Sequence, residues 1–147
     1  MNMRHRMYAE LESKSENEAY ARVIVAAFCA RLNPTIPELE DVKMAVSEAV
    51  TNAVIHGYGN SGGIIKFSGV ISEHKVTFTI TDFGVGIEDV TRAMKPLYTG
   101  APDMERSGMG FTIMEEFMDE ITVKSVVGKG TEVIMSKTIL GGKTVNG

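Results

Sequence analysis

The stretch SEAVTNAVIHGY, residues 47–58, decides how the chain is read. Glu48, Asn52 and His56 stand at i, i+4 and i+8, so on an α-helix they form one polar row with steps of about 6 Å. A solvated helix face is the plain reading for any one of them. The flanking Ala49, Val50, Ala53 and Val54 are small and apolar, however, and a charge among such neighbours is costly unless it is paired or used. An Asn oxygen suits a Mg²⁺ ion, and a Glu beside it can take a proton from a reacting water or hydroxyl.

Working outward, NPTIP at 33–37 breaks the chain before this helix, with Thr35 or Ile36 at the boundary and Pro37 in its first turn. The helix is expected to run to about His56, with Gly57 as a left-handed cap. Leu39, Val42, Ala45, Val46, Ala49, Val50, Ala53 and Val54 make its apolar face. Upstream, residues 6–12 alternate as a strand with Met7, Ala9 and Leu11 on one side. A first helix follows, with Ser15 and Glu18 as a capping box and Ala19, Tyr20, Val23, Ile24, Ala27 and Phe28 as its stripe.

Downstream, YGNSGG leads into a hairpin of IIKFSGVI and VTFTITD, in which Val76, Phe78, Ile80 and Asp82 share a face. A short helical piece, EDVTRAM, precedes a lid at 95–108 without periodicity of its own. A helix from Gly110 to about Asp119 and a second hairpin, EITVKSVV and TEVIMSKTIL about the turn GKG, close the pattern. The tail, 140–147, is expected to fray. This is an α+β fold: a two-layer sandwich of a mixed, largely antiparallel sheet of about five strands with helices on one face.

Two further features carry chemistry. Asp82 is an acid on the core-facing parity of its strand, which either pins a turn or meets a ligand. Gly84 and Gly86 favour the ligand, because without a Cβ the backbone can approach a flat molecule, and an Asp acceptor there fits the exocyclic amine of adenine. RSGMG at 106–110 opens the later helix, where free backbone N–H groups favour phosphate and Arg106 adds a planar, charged contact.

Composition bounds the rest. With 147 residues, one compact domain covering 1–147 is expected, its core at about 7–139. Lys and Arg number 15 against 19 Asp and Glu, a net charge of −4 that disfavours nucleic acid as a direct partner. The single cysteine, Cys29, excludes an internal disulfide and fits a reducing compartment. No apolar run could span a bilayer and no secretory h-region follows the N-terminus, so a cytoplasmic location is expected. GKT at 142–144 lacks the earlier glycine of a P-loop, SGMGFTI lacks the last glycine of a dinucleotide fingerprint, and DFG at 82–84 has no HRD-like loop before it.

The ordered combination is more specific than its parts: E-x-x-x-N on a helix, D-x-G-x-G after a strand, a lid, G-x-G at a helix start, then GKGT before a strand. It resembles the Bergerat ATP-binding fold of gyrase, Hsp90, histidine kinases and anti-sigma serine kinases. The strings SENEAYARV, VSEAVTNAVIHGY and ERSGMGFTIMEEFMDE look specifically like those of the anti-sigma F factors of spore-forming bacteria. The resemblance covers roughly residues 7–139.

Carried over by position, the resemblance implies ATP or ADP with Mg²⁺ as ligands, Asn52 on the metal and Glu48 as general base. It implies Asp82 on the adenine amine, Thr131 supporting it through water, and Gly84 and Gly86 lining the base pocket. Thr99, Ser107, Gly108, Met109 and Gly110 would bind nucleotide, Arg106 would reach the γ-phosphate, and Arg22 would contact a partner. Members of this family phosphorylate a serine of an anti-anti-sigma protein, and their ATP-bound homodimer holds sigma F inactive during sporulation. A stress-response sigma factor as target, or an ATP-gated binding module without kinase activity, are the alternatives. Two departures stand out: Phe83 replaces the family's usual acid in DEG, and PLYTGAPD replaces a lid close to PLFTTKPE.

Overall fold

The computed structural model describes residues 4–94 and 102–142, with the side chains of 102–109 left aside. Five strands, β1 (Arg4–Glu12), β2 (Ile64–Ser72), β3 (Lys75–Asp82), β4 (Glu120–Val126) and β5 (Gly130–Thr138), form one sheet in the order β1-β2-β3-β5-β4. Every pairing is antiparallel, where the sequence suggested a mixed sheet. Helices α1 (Asn17–Cys29), α2 (Ile36–Asn52) and α4 (Pro102–Phe117) cover one face, and α3 (Val90–Ala93) is a single turn. The core lies between the layers, where Phe78 stacks at 6.0 Å from Phe28 and 5.5 Å from Phe67. Strand parity is as expected: Val76, Phe78, Ile80 and Asp82 are all buried, while Lys75 and the threonines between them are not.

Local chemistry sets the helix boundaries. The Thr35 side chain accepts the Glu38 N–H (3.2 Å), and Glu38 returns a carboxylate to the Thr35 N–H (2.9 Å), a complete capping box with Pro37 in the first turn. Glu38 also accepts the N–H groups of Leu140 (2.7 Å) and Gly141 (3.1 Å), and Asn33 O accepts that of Gly142 (2.8 Å). Residues 140–142 are therefore clipped to the start of α2 rather than frayed, and 143–147 lie outside the described residues.

α1 differs from its expected pattern in two respects. Its cap is Glu16 with no side-chain bond, because Glu18 has better partners: it pairs with Arg22 Nε (2.6 Å) and accepts Ser47 Oγ–H (2.7 Å) from α2. The buried stripe is Ala21, Val25, Phe28 and Cys29, leaving Tyr20 and Val23 exposed. Periodicity fixed the helix but not its rotation, since two apolar stripes compete on this segment.

α2 ends at Asn52 and continues as a π turn, Ala53–Gly57. Gly57 has no positive φ, so it is no left-handed cap; that conformation falls at Gly59, φ 59°. α4 starts eight residues before Gly110, so Gly108 and Gly110 lie inside a helix instead of opening one. The lid expected at 95–108 is thus helical from Pro102, and 95–101 lie outside the described residues.

Candidate nucleotide site

The site forms where the end of α2 meets the ends of β3 and β5. Asp82, the last residue of β3, points into the core layer at 6 % exposure, directly across from Thr131 on β5. The carboxylate accepts the Gly84 N–H at Oδ1 (2.9 Å), and the Thr131 N–H also bonds to it. Burial pushes the Asp82 carboxyl above its ordinary range, and these two N–H groups only partly offset that. A buried acid with free acceptor capacity is suited to receive an amine N–H from a ligand.

Glycines make room around it. A Cβ on Gly57 would lie 2.8 Å from the Asp82 carboxylate, so only glycine lets the π turn approach. A Cβ on Gly84 would collide with the Gly57 carbonyl, which accepts the Val85 N–H (2.8 Å). Gly86, at φ 79°, brings the loop against the Val126 carbonyl, and Gly130 brings β5 against the Asp82 carbonyl.

Ser125 ties these pieces together: its Oγ accepts the Ile87 N–H (2.7 Å) and lies 2.8 Å from Thr131 Oγ1 and 3.0 Å from Gly130 O. Tyr58 does the same on the other side, with its hydroxyl accepting the Phe83 N–H (2.8 Å) and donating to Ile64 O (2.6 Å).

A small cavity opens among these residues. Asn52, His56, Asp82 and Thr131 give its lining polar groups, and Ile80, Val133, Ile87 and Phe111 give it apolar ones, a chemistry suited to a heteroaromatic ring. At the mouth, α4 crosses α2 so closely that a Cβ on Gly110 would be 3.0 Å from Asn52 Nδ2 and 3.3 Å from Glu48 Oε1. Glu48, Asn52 and Gly110 are therefore brought together. Asn52 Nδ2 is buried with no hydrogen-bond partner among the described residues. An amide left short of a partner beside a carboxylate fits a guest rich in oxygen, and Asn Oδ1 is the kind of ligand Mg²⁺ accepts alongside phosphate oxygens and water.

The chain matches the histidine kinase-like ATPase domain family over residues 11–137. It is 56 % identical over 135 residues to an anti-sigma F factor of Clostridium acetobutylicum, covering 92 % of this chain and 94 % of that one. The chain belongs to the anti-sigma F factor family. An anti-sigma F factor of Geobacillus kaustophilus is 53 % identical over 144 residues, 97 % of this chain and 99 % of that one. Among solved structures, the RsbU and RsbW domains of Rv1364c from Mycobacterium tuberculosis superpose with a TM-score of 0.61 at 16 % identity, over 92 % of this chain and 32 % of theirs, which shows the shared fold.

Of the residues singled out in the sequence, Asn52, Asp82, Gly86 and Thr131 line the cavity, Gly84 supports Asp82, and Glu48 and Gly110 flank the mouth. Arg22 is on α1, apart from the cavity lining, with its guanidinium on Glu18. Arg106, Ser107, Gly108 and Met109 fall on α4 with side chains outside the description, and Thr99 lies outside the described residues. Sequence reasoning missed Gly57, Gly130, Ser125 and Tyr58 as builders of the site. Ser125 alone had a signal: the GKG turn sets a register that places it opposite Thr131.

Proposed function

We propose that the chain binds ATP in this cavity, phosphorylates a serine of an anti-anti-sigma protein, and as an ATP-bound cytoplasmic homodimer holds sigma F inactive, so governing sporulation transcription. The observation that supports the reading is a buried Asp82 in a cavity with polar and apolar lining that Asn52 shares, with Glu48 and Asn52 both close to Gly110 of α4. The names of the relatives supply the sigma factor.

In this reading Asp82 accepts the adenine amine, Thr131 supports it through water, and Gly84 and Gly86 keep the ring slot open. Asn52 holds Mg²⁺, which when bound neutralises charge on the phosphate oxygens. Glu48 takes the proton from the serine hydroxyl as its oxygen bonds to the γ-phosphorus and the bond to the β–γ bridging oxygen breaks, releasing ADP. Arg106 stabilises charge on the transferring group, with Thr99 beside the nucleotide. Phosphate contact by the N–H groups of Ser107, Gly108, Met109 and Gly110 requires the first turns of α4 to open, because inside a helix those groups bond to the preceding turn. Arg22 meets the protein partner.

Incubation with radiolabelled ATP·Mg and the anti-anti-sigma protein tests this. Wild-type chain should label serine, Glu48→Gln should bind ATP yet lose on the order of a hundredfold in transfer rate, and Asp82→Asn should lose binding. ATP binding without any serine labelling would leave only a nucleotide-gated binding module. Pull-downs with candidate sigma factors decide between sigma F and a stress sigma factor.

A further inference from the structure

Asp82, Thr131 and Ser125 stand in one row across three strands. Asp82 on β3 is directly opposite Thr131 on β5, and Thr131 is directly opposite Ser125 on β4. Asp82 and Thr131 line the cavity, while Ser125 stands behind Thr131, outside that lining. Ser125 Oγ has three partners, the Ile87 N–H at 2.7 Å, Gly130 O at 3.0 Å and Thr131 Oγ1 at 2.8 Å. A serine hydroxyl has one proton to give and two lone pairs to fill. The Ile87 N–H fills one lone pair, and Gly130 O, which only accepts, takes the proton. The second lone pair is left for the proton of Thr131. The reverse arrangement, with Ser125 donating to Thr131, would set a Ser125 lone pair against Gly130 O at 3.0 Å.

We propose that Ser125 is a positioning residue for base selection: by taking the Thr131 proton it makes that hydroxyl an acceptor toward the cavity, and so favours purines with an amine at C6 over those with a carbonyl there. This rests on the nucleotide-binding reading above and adds how the two kinds of purine are told apart. Asp82 and the Thr131 hydroxyl then both accept. A water held between them would give one proton to each and have only lone pairs left for the base, so direct and water-mediated contact have the same polarity. An amine N–H satisfies such a surface. A carbonyl sets one more acceptor against buried acceptors, with no proton to join them.

Asp82 alone would not impose this choice. With the Thr131 proton free to turn inward, a water between the two would accept it, give one proton to Asp82 and keep the other for a carbonyl. Ser125 removes that option. It also holds the N–H of Ile87, a residue of the cavity lining, so its loss has a second effect that falls on every nucleotide alike.

Equilibrium binding of ATP·Mg and ITP·Mg to the full chain tests this, since ITP has a carbonyl at C6 where ATP has the amine. Wild type should favour ATP. Ser125→Ala should weaken ATP binding through the loss at Ile87 and also narrow the preference over ITP roughly tenfold, the scale of one hydrogen bond. Ser125→Thr, which keeps the hydroxyl, should restore the preference. Thr131→Val alone should narrow it as well, which decides the matter even where Ser125→Ala does not fold, and adding Ser125→Ala to Thr131→Val should narrow it no further. A general loosening of the pocket moves neither the ratio nor its dependence on Thr131. Wild type binding ITP as tightly as ATP, Ser125→Ala lowering both affinities equally, a ratio unaltered by Thr131→Val, or the same narrowing with and without the Thr131 hydroxyl overturns the proposal and leaves nucleotide binding standing. A wild type that binds neither nucleotide overturns the nucleotide reading and this selection with it.

Discussion

Gly57 faces the carboxylate of Asp82 with no space between them for a methyl group. The π turn that carries Gly57 and the strand end that carries Asp82 are thus in contact through backbone on one side and a buried acid on the other. Gly57→Ala should push Asp82 off its position, lowering affinity for ATP at least tenfold and stability by about 1–3 kcal/mol. Titration with a fluorescent ATP analogue, beside a denaturant melt, reads both; unaltered affinity would mean that Asp82 does not hold the base.

Asp82 also sets a pH dependence. Burial raises its carboxyl above the ordinary value of 3.8, so the folded chain holds that proton more tightly than the unfolded one. The stabilisation is complete below the unfolded value and is lost as pH rises through the folded one. Relative to Asp82→Asn, the ligand-free wild type should therefore lose stability as pH rises above about 4. Melting temperatures of both across pH 3–7 check this, and a constant difference would contradict it.

Glu38 works with the opposite sign. Burial resists its ionisation, but the N–H groups of Thr35, Leu140 and Gly141 outweigh that and hold its carboxyl below the ordinary 4.5. The stability it gives is present above the unfolded value and lost as pH falls through the folded one. Glu38→Gln should cost about 1–2 kcal/mol at pH 7 and much less in strong acid. Chemical denaturation at the two pH values measures the change.

Cys29 should be inert in the native chain. It is fully buried on α1, and burial pushes its thiol up to about 12, so almost no thiolate exists at neutral pH. Labelling by a thiol reagent should proceed at the rate of global unfolding, and fast labelling in the folded state would show that α1 opens locally.

Nucleotide should alter the start of α4. If phosphate takes the N–H groups around Gly108 and Gly110, amide hydrogen exchange at Arg106 should rise on addition of ATP·Mg while that of Gly110 falls. Exchange that is unchanged by nucleotide across 102–110 would separate this segment from the phosphates.

Much of this was legible in the sequence because it depends on period and parity. Alternation in β3 puts Asp82 on the buried face, and the placing of Glu48 and Asn52 on one side of α2 follows from helical spacing, whereas His56 falls on the π turn beyond it. Rotation and termination were not legible. α1 carries two apolar stripes, and only packing against α2 through Glu18 and Ser47 selects Ala21, Val25 and Phe28. The π turn depends on the approach of Gly57 to Asp82, 25 residues away, and no local propensity encodes it. The start of α4 was misplaced because glycines within the helix read as a break.

Ser47 and Glu48 are consecutive on α2 and serve different surfaces. One donates to Glu18, which holds Arg22 on the outside of α1; the other stands over Gly110 at the mouth of the cavity. A helix moves as a rod, so any displacement of α2 that shifts Glu48 shifts Ser47 and its bond to Glu18 as well. Ser47 and Glu48 thereby make α2 the element that touches both the outer ion pair of α1 and the approach of α4.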